Sequence, residues 1–341
     1  MKNTFGNSLQ ITLFGESHGP YIGAVLDGLA PGIEIDEEYI RELLSRRRPA
    51  GVISTARVEP DEFQIVSGAF KGKTTGTPLT ILIPNVAKRS SDYEKAERIA
   101  RPGHADYTAS VKYHGYEDFR GGGHFSGRIT AALVAAGAIV LPALKKKGVE
   151  VSCEIKSVAG VTGSWEEMED VIKAAAAEGN SVGGVLEAEI KGMPAGVGEP
   201  WFDSVESVLA HAMYSIPAVK GVQFGIGFEG TTLKGSEYND SFRNEGGKVV
   251  TTTNNNGGIN GGITNGMPIV FSLAIKPTPS VYVKQESIDL VSGENRDLQI
   301  EGRHDPAIIH RARVVVEAMS GLVMYDLLAG RFGTDYFCEE Q

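Results

Sequence analysis

A helix with no polar side constrains this chain more than any other segment. The stretch RITAALVAAGAIVLPALKKKG, helical from about Ser126 to Lys147, is hydrophobic nearly all round. Such a helix cannot lie on a surface, so it must be covered on several sides, between layers. Its apolar part, Ala131 to Leu144, is expected to stop short of the roughly 20 residues that a membrane-spanning helix requires. The start MKNTFGNSLQ has no apolar signal core. A cytoplasmic location and no membrane partner are therefore expected.

Around this helix the pattern reads as α+β. LQITLF at 9–14, YIGAVL at 21–26 and LTILI at 79–83 are strand-like runs bounded by Gly and Pro. One helix starts at the N-cap Asp36, turns Ile40, Leu43 and Leu44 to one face and ends at Arg46–Arg48 before Pro49. Another runs from about Ala307 to Leu328 with Asp305 as its expected N-cap. The stretch 164–180 reads as an exposed amphipathic helix. The two halves also resemble each other in order. YIGAVLDGLAPGI matches SVGGVLEAEIKGMPAGV, GKTTGTPLTILIPN matches NGGITNGMPIVFSLAIKP, and RPGHAD matches EGRHDP ahead of a long apolar helix. Such a duplication predicts two antiparallel sheets enclosing helices, a β-α-β four-layer sandwich. The whole chain, 1–341, is expected to form one domain with pseudo-twofold halves of roughly 1–150 and 181–330.

A net charge of -10 argues against a nucleic-acid partner, so any anion must meet a local basic patch. Cys153 and Cys338 lie far apart and suggest neither a disulfide framework nor zinc, and His104, Asp106 and His114 lack strict metal-ligand spacing. Gly15–Gly19 matches the G-x-S-x-G elbow, but another strand follows where a helix is required. Gly225–Gly230 matches G-x-G-x-x-G without a helix start after it.

His18 in GESHGP and His104 in RPGHAD sit in glycine-flanked turns, where an imidazole can transfer protons or simply cap the turn. Arg46, Arg47, Arg48, Arg57, Arg101, Arg120, Arg128 and Arg303 recur beside these turns, and guanidinium forks suit carboxylate and phosphate. Arg120–Ser126 forms a glycine-rich turn ahead of the apolar helix, with amides free for a phosphate. NNNGG at 254–258 and KPTPS at 276–280 are tight polar loops able to meet the edge of a heterocycle.

Taken in order, GESHGPYIGAVLDGLAPG, SRRRP, RPGHADYT, GGGHFSGR, NNNGGINGG, KPTPS and EGRHDP resemble the chorismate synthases along nearly the entire chain. The resemblance implies a homotetramer of β-α-β sandwich subunits. It also implies a lyase that eliminates phosphate from 5-enolpyruvylshikimate 3-phosphate to give chorismate in aromatic amino acid biosynthesis, with reduced FMN and no net redox change. By the same resemblance His18 assists the departing phosphate, His104 protonates and steadies the flavin, and Asp305 acts with flavin N5 on the ring proton. Arg47, Arg48, Arg57, Arg101 and Arg128 are the implied substrate ligands. Implied flavin contacts are His124, Phe125, Ser126, Pro217, Ala218, Gly261, Lys276, Pro277, Thr278, Pro279, Ser280 and Arg303. GGGHFSGR departs from the family's GGGRSSAR, Pro217 stands where asparagine is common, and an arginine after RRRP is missing, which weakens any NADP contact. An external flavin reductase is the expected source of reduced FMN. The alternative is a flavin-binding paralogue without elimination activity.

Overall fold

Alternation along the strands shows where the core lies. In Leu79–Pro84 every second side chain is buried, and Gly184–Lys191 repeats the pattern with Leu186, Ala188 and Ile190. Period-two burial means one covered face per sheet. The structure, a computed structural model, describes residues 2–48, 60–86, 98–300 and 304–338. Arg57 and Arg303 fall outside the described residues.

The first sheet has five antiparallel strands in the order Thr4–Phe5, Gln10–Gly15, Tyr21–Asp27, Leu79–Pro84, Gln64–Ser67. The second has four, in the order Val219–Phe224, Ile269–Ile275, Gly184–Lys191, Glu150–Val158. The helices Thr130–Lys146 and Ile309–Phe332 fill the space between, the former against the first sheet, the latter against the second, and both against each other. The resulting layers are sheet, helix, helix, sheet. Small residues allow the two helices to touch closely. A Cβ built on Gly137 would lie 2.5 Å from the Ala318 Cβ, and one on Gly321 would lie 2.7 Å from Leu141.

With its preceding turn the apolar helix spans Gly127–Lys146, 20 residues, and is long and apolar enough to cross a bilayer. That corrects the expectation that the run falls short. Length does not decide the matter here, because 78% of its most apolar window is buried inside the protein. Protein layers provide the cover that lipid would otherwise supply.

Both sheets are wound alike. Leaving out the short edge strand Thr4–Phe5, in each the first, second and fourth strands in sequence lie side by side and the third pairs outside the fourth. The helix between the second and third strands is Glu37–Arg46 in one set and Val205–Ser215 in the other. The second set begins with Glu150–Val158, upstream of the matched sequence segments. The correspondence reaches single hydrogen bonds. Thr74 Oγ1 donates to the Ala30 carbonyl at 2.6 Å and accepts from the Ile33 amide at 2.9 Å. Thr264 Oγ1 does the same with Pro194 at 2.6 Å and Val197 at 2.9 Å.

Asp36 caps Glu37–Arg46 by accepting from the Tyr39 amide at 3.0 Å, with Ile40, Leu43 and Leu44 buried as expected. Ser164 and Glu167 form a capping box on Trp165–Ala177. Asp305 is not an N-cap. The last helix starts at Ile309 behind Ile308, and Asp305 is drawn to Arg311 instead.

Overpacking the helix crossing tests this core. Gly137→Val is expected to destabilise the protein by about 1–3 kcal/mol or more, read as a lower denaturant midpoint at unchanged slope. An unchanged midpoint would show that the two core helices do not meet there.

Candidate active site

Strand geometry delivers His18 to the end of the first sheet. Gln10–Gly15 ends at Gly15, Glu16–Gly19 turns, and Tyr21–Asp27 returns alongside. A strand follows Ser17, which removes the hydrolase elbow. His18 is only 6% exposed. Its Nδ1 lies 3.1 Å from Ser17 Oγ, which is also 3.2 Å from the Arg120 carbonyl and 3.1 Å from that of Gly121. The two carbonyls can only accept, so they compete for the hydroxyl proton and favour Ser17 Oγ as acceptor from His18 Nδ1.

The glycine turn straps this histidine in place. Gly121, Gly122 and Gly123 all have positive φ, at 58°, 84° and 51°. A Cβ on Gly121 would lie 2.2 Å from His18 Cε1, so only glycine lets the backbone lie against the imidazole. Gly123 accepts from the Ser17 amide at 3.1 Å, and His124 Nδ1 donates to the Gly15 carbonyl at 2.8 Å. Phe125 meets Tyr113 edge-on at 6.1 Å, and Ser126 caps the turn Gly127–Ile129. The amides of Gly122 and Ser126 are spent on the carbonyls of Phe119 and Gly123. The turn thus offers an anion fewer donors than expected.

Beneath it lies a buried ion cluster. Arg47, Asp61 and Arg128 are 5%, 3% and 9% exposed. Arg47 Nη2 reaches Asp61 Oδ2 at 3.1 Å, Arg128 Nη1 contacts Asp61 Oδ1, and Arg128 Nε donates to Asn85 Oδ1 at 3.0 Å. Asn85 Nδ2 bonds the carbonyls of Glu16 and Gly19, each at 2.9 Å. Burial would raise the Asp61 carboxyl, but the two guanidiniums outweigh it and hold it below the usual range. Burial pulls Arg47 down to about 10 despite Asp61, helped by nearby Arg311 and Arg128. Among the described residues, these two cations share one anion. Arg48 donates to the Pro60 carbonyl.

The second half contributes the KPTPS loop. Lys276 Nζ donates to the Gly103 carbonyl at 2.6 Å, and Gly103 packs on Pro279. His104 Nε2 is 2.8 Å from Ser280 Oγ. Burial lowers the His104 pKa to about 4, with Arg101 and Lys276 adding to it and Asp106 opposing. Arg101 holds Asp106 through Nε and Nη2, at 2.8 and 2.7 Å. Its Nη2 is also 3.7 Å from where a Gly122 Cβ would stand, so Arg101 links the His104 turn with the glycine turn. Pro217 and Ala218 lead into Val219–Phe224, and Ala218 accepts from the Lys276 amide at 2.9 Å. Pro277 and Pro279 line an open groove with Pro102 and Gly103, and the Thr278 hydroxyl is buried without a partner. Gly261 is elsewhere: its turn, through Gly262, packs on Glu199, Ser204 and Val205.

Asp305, 9% exposed, pairs with Arg311 Nη1 at 2.5 Å, and Arg311 Nε donates to the Arg47 carbonyl at 2.7 Å. The second-half carboxylate is thereby tied to the first-half arginines. Sequence reasoning missed Asp61, Asn85 and Arg311. EPDEF falls in none of the motifs, and Asn85 enters only as the last residue of the GKTTGTPLTILIPN match. The available hint was an excess of arginines, since cations gathered in a core need a buried acid. If the strap matters, Gly121→Ala should fold yet displace His18, seen as a shifted His18 imidazole resonance. An unmoved resonance would show that the turn leaves His18 free.

The family model for chorismate synthase matches residues 9–329. The chain is 46% identical over 326 residues to a chorismate synthase of Chitinophaga pinensis, covering 96% of each. It is 44% identical to one of Pyrococcus abyssi, covering 96% of this chain and 97% of that one. A solved chorismate synthase structure superposes with a TM-score of 0.76 at 28% identity, covering 96% of this chain and 94% of that one. With its sheets, helices and charged turns accounted for, the chain belongs to the chorismate synthase family.

Proposed function

We propose that the chain eliminates phosphate from 5-enolpyruvylshikimate 3-phosphate to give chorismate, with reduced FMN as cofactor. One observation carries the reading: among the described residues, two buried guanidiniums share the Asp61 carboxylate, and one of them is tied through Asn85 to the turn that holds His18. Buried guanidiniums beside a positioned imidazole suit a phosphate on its way out. Reduced FMN, when bound, supplies transient electron density that eases the departure.

The donors around the KPTPS loop fit such a group. The buried, unpartnered Thr278 hydroxyl is one, and Lys276, Ser280 and Arg101 add others. His124, Phe125, Ser126, Pro217 and Ala218 would border it, with Arg303 as a further proposed contact, whereas Gly261, packed with its turn on Glu199, Ser204 and Val205, would not. Arg47, Arg48, Arg57, Arg101 and Arg128 would hold the anionic substrate. His18 gives a proton to the leaving phosphate, His104 steadies the flavin, and Asp305 takes part in removing the ring proton. The protein acts as a cytoplasmic homotetramer supplied by an external reductase. In support of external supply, GIGFEG leads into the 3-10 turn Gly227–Thr232, not the helix start of a dinucleotide unit.

The exchange at His124–Phe125 favours one second reading, a flavin-binding paralogue without elimination. Purified protein, given substrate and dithionite-reduced FMN without oxygen, should release phosphate with chorismate, and His18→Ala should slow it about 100-fold or more. Flavin binding without phosphate release would leave only the paralogue.

His104 yields a further expectation. Its pKa of about 4 leaves it neutral at pH 6. An anionic flavin beside it would raise that value, so binding takes up a proton at any pH between the free and bound values. Anaerobic calorimetry at pH 6 in buffers of different ionisation enthalpy should register the uptake, and His104→Gln should abolish it. Equal uptake by the variant would assign the proton elsewhere.

A further inference from the structure

Asp61 performs a task that neither neighbouring guanidinium can perform alone. It is 3% exposed and adopts a positive φ of 49°, a conformation that aspartate enters more readily than most side chains. Its two oxygens serve different partners: Oδ2 takes Arg47, from the end of Glu37–Arg46, and Oδ1 takes Arg128, from the turn before the apolar helix. Two buried guanidiniums facing each other without an acid would repel, so the carboxylate sets both their separation and their orientation.

From this centre hydrogen bonds run outward both ways. On one side Arg128 Nε donates to Asn85 at 3.0 Å, and Asn85 grips the carbonyls of Glu16 and Gly19 on either side of His18, both at 2.9 Å. On the other, the Arg47 carbonyl accepts from Arg311 at 2.7 Å, and Arg311 holds Asp305 at 2.5 Å. Arg47 Nε is buried without a partner, so the cluster keeps an unspent donor. The turn carrying His18 and the carboxylate of Asp305 come from different halves of the chain and are joined through Asp61.

We propose that Asp61 is a positioning residue for the elimination: it spaces Arg47 and Arg128 on one carboxylate, aligns the His18 turn through Arg128 and Asn85, and limits the positive charge shown to the substrate. This rests on the reading given under Proposed function. Charge and alignment then act oppositely when Asp61 is neutralised. Removing the anion strengthens the pull on any phosphate, while loosening the guanidiniums spoils the geometry on which turnover depends.

Asp61→Asn keeps the shape and removes the charge. In the anaerobic phosphate-release assay it should lower kcat about tenfold or more, while calorimetry should show inorganic phosphate binding more tightly than to the unaltered protein. General loosening of the fold would weaken both. Asn85→Ala, which keeps the Asp61 charge but removes the acceptor of Arg128 Nε and the grip on the His18 turn, should lower kcat without tightening phosphate binding as Asp61→Asn does. Circular dichroism checks that each variant is folded. If Asp61→Asn does not fold, Asn85→Ala decides, and undiminished kcat overturns the proposal. Folded Asp61→Asn with undiminished kcat, or with weaker phosphate binding, also overturns it. An unaltered protein that releases no phosphate would sink the functional reading instead, and the phosphate-affinity comparison would still test the charge role of Asp61.

Discussion

The contact between two helices buried over most of their lengths organises everything else. Thr130–Lys146 and Ile309–Phe332 are buried over nearly their whole lengths, and each needs cover on every side. Each takes part of it from the other, at a crossing where Gly137 meets Ala318 and Gly321 meets Leu141. The rest comes from a sheet and a shorter helix, Glu37–Arg46 against the first and Val205–Ser215 against the second. Because each sheet buries only one face, two sheets are needed, and the layered order follows from the apolar area to be removed from water.

This arrangement also places the chemistry. The long helices and the strands send their connecting turns to the sheet ends, where glycine permits close backbone contact. The first half brings the His18 turn, the glycine strap and the buried arginines. The second brings the KPTPS loop and Asp305. Lys276 on Gly103 and Arg311 on the Arg47 carbonyl join the two sets. A site assembled from two halves depends on how they pack, so the helix crossing sets its dimensions.

Electrostatics in the site follow from burial. His104 is pulled to about 4 because it is enclosed, with two cations adding to the effect. Asp61 stays ionised because two guanidiniums outweigh the cost of its enclosure. The same loss of water thus keeps one group neutral and locks another as an ion, and the difference lies in the neighbours.

Much of this was legible in the residues. The all-round apolar helix required layers, the ordered repeats foretold two similarly wound sheets, and the Asp36 cap and the buried Ile40, Leu43 and Leu44 followed from local rules. These depend on neighbours along the chain, where hydrogen-bond reach and side-chain period are set by short spacing. The cap assigned to Asp305 failed because a guanidinium six residues on, Arg311, competes for the carboxylate. Length alone misjudged the apolar helix, since what covers it is decided by other layers. Asp61, Asn85 and Arg311 gave no local sign. Their partners lie between 6 and 264 residues away, and only folding brings an acid from a plain loop between two arginines. The sequence determined the elements and their amphipathic faces; tertiary structure decided which charges meet, because burial removes the water that would otherwise have served each of them.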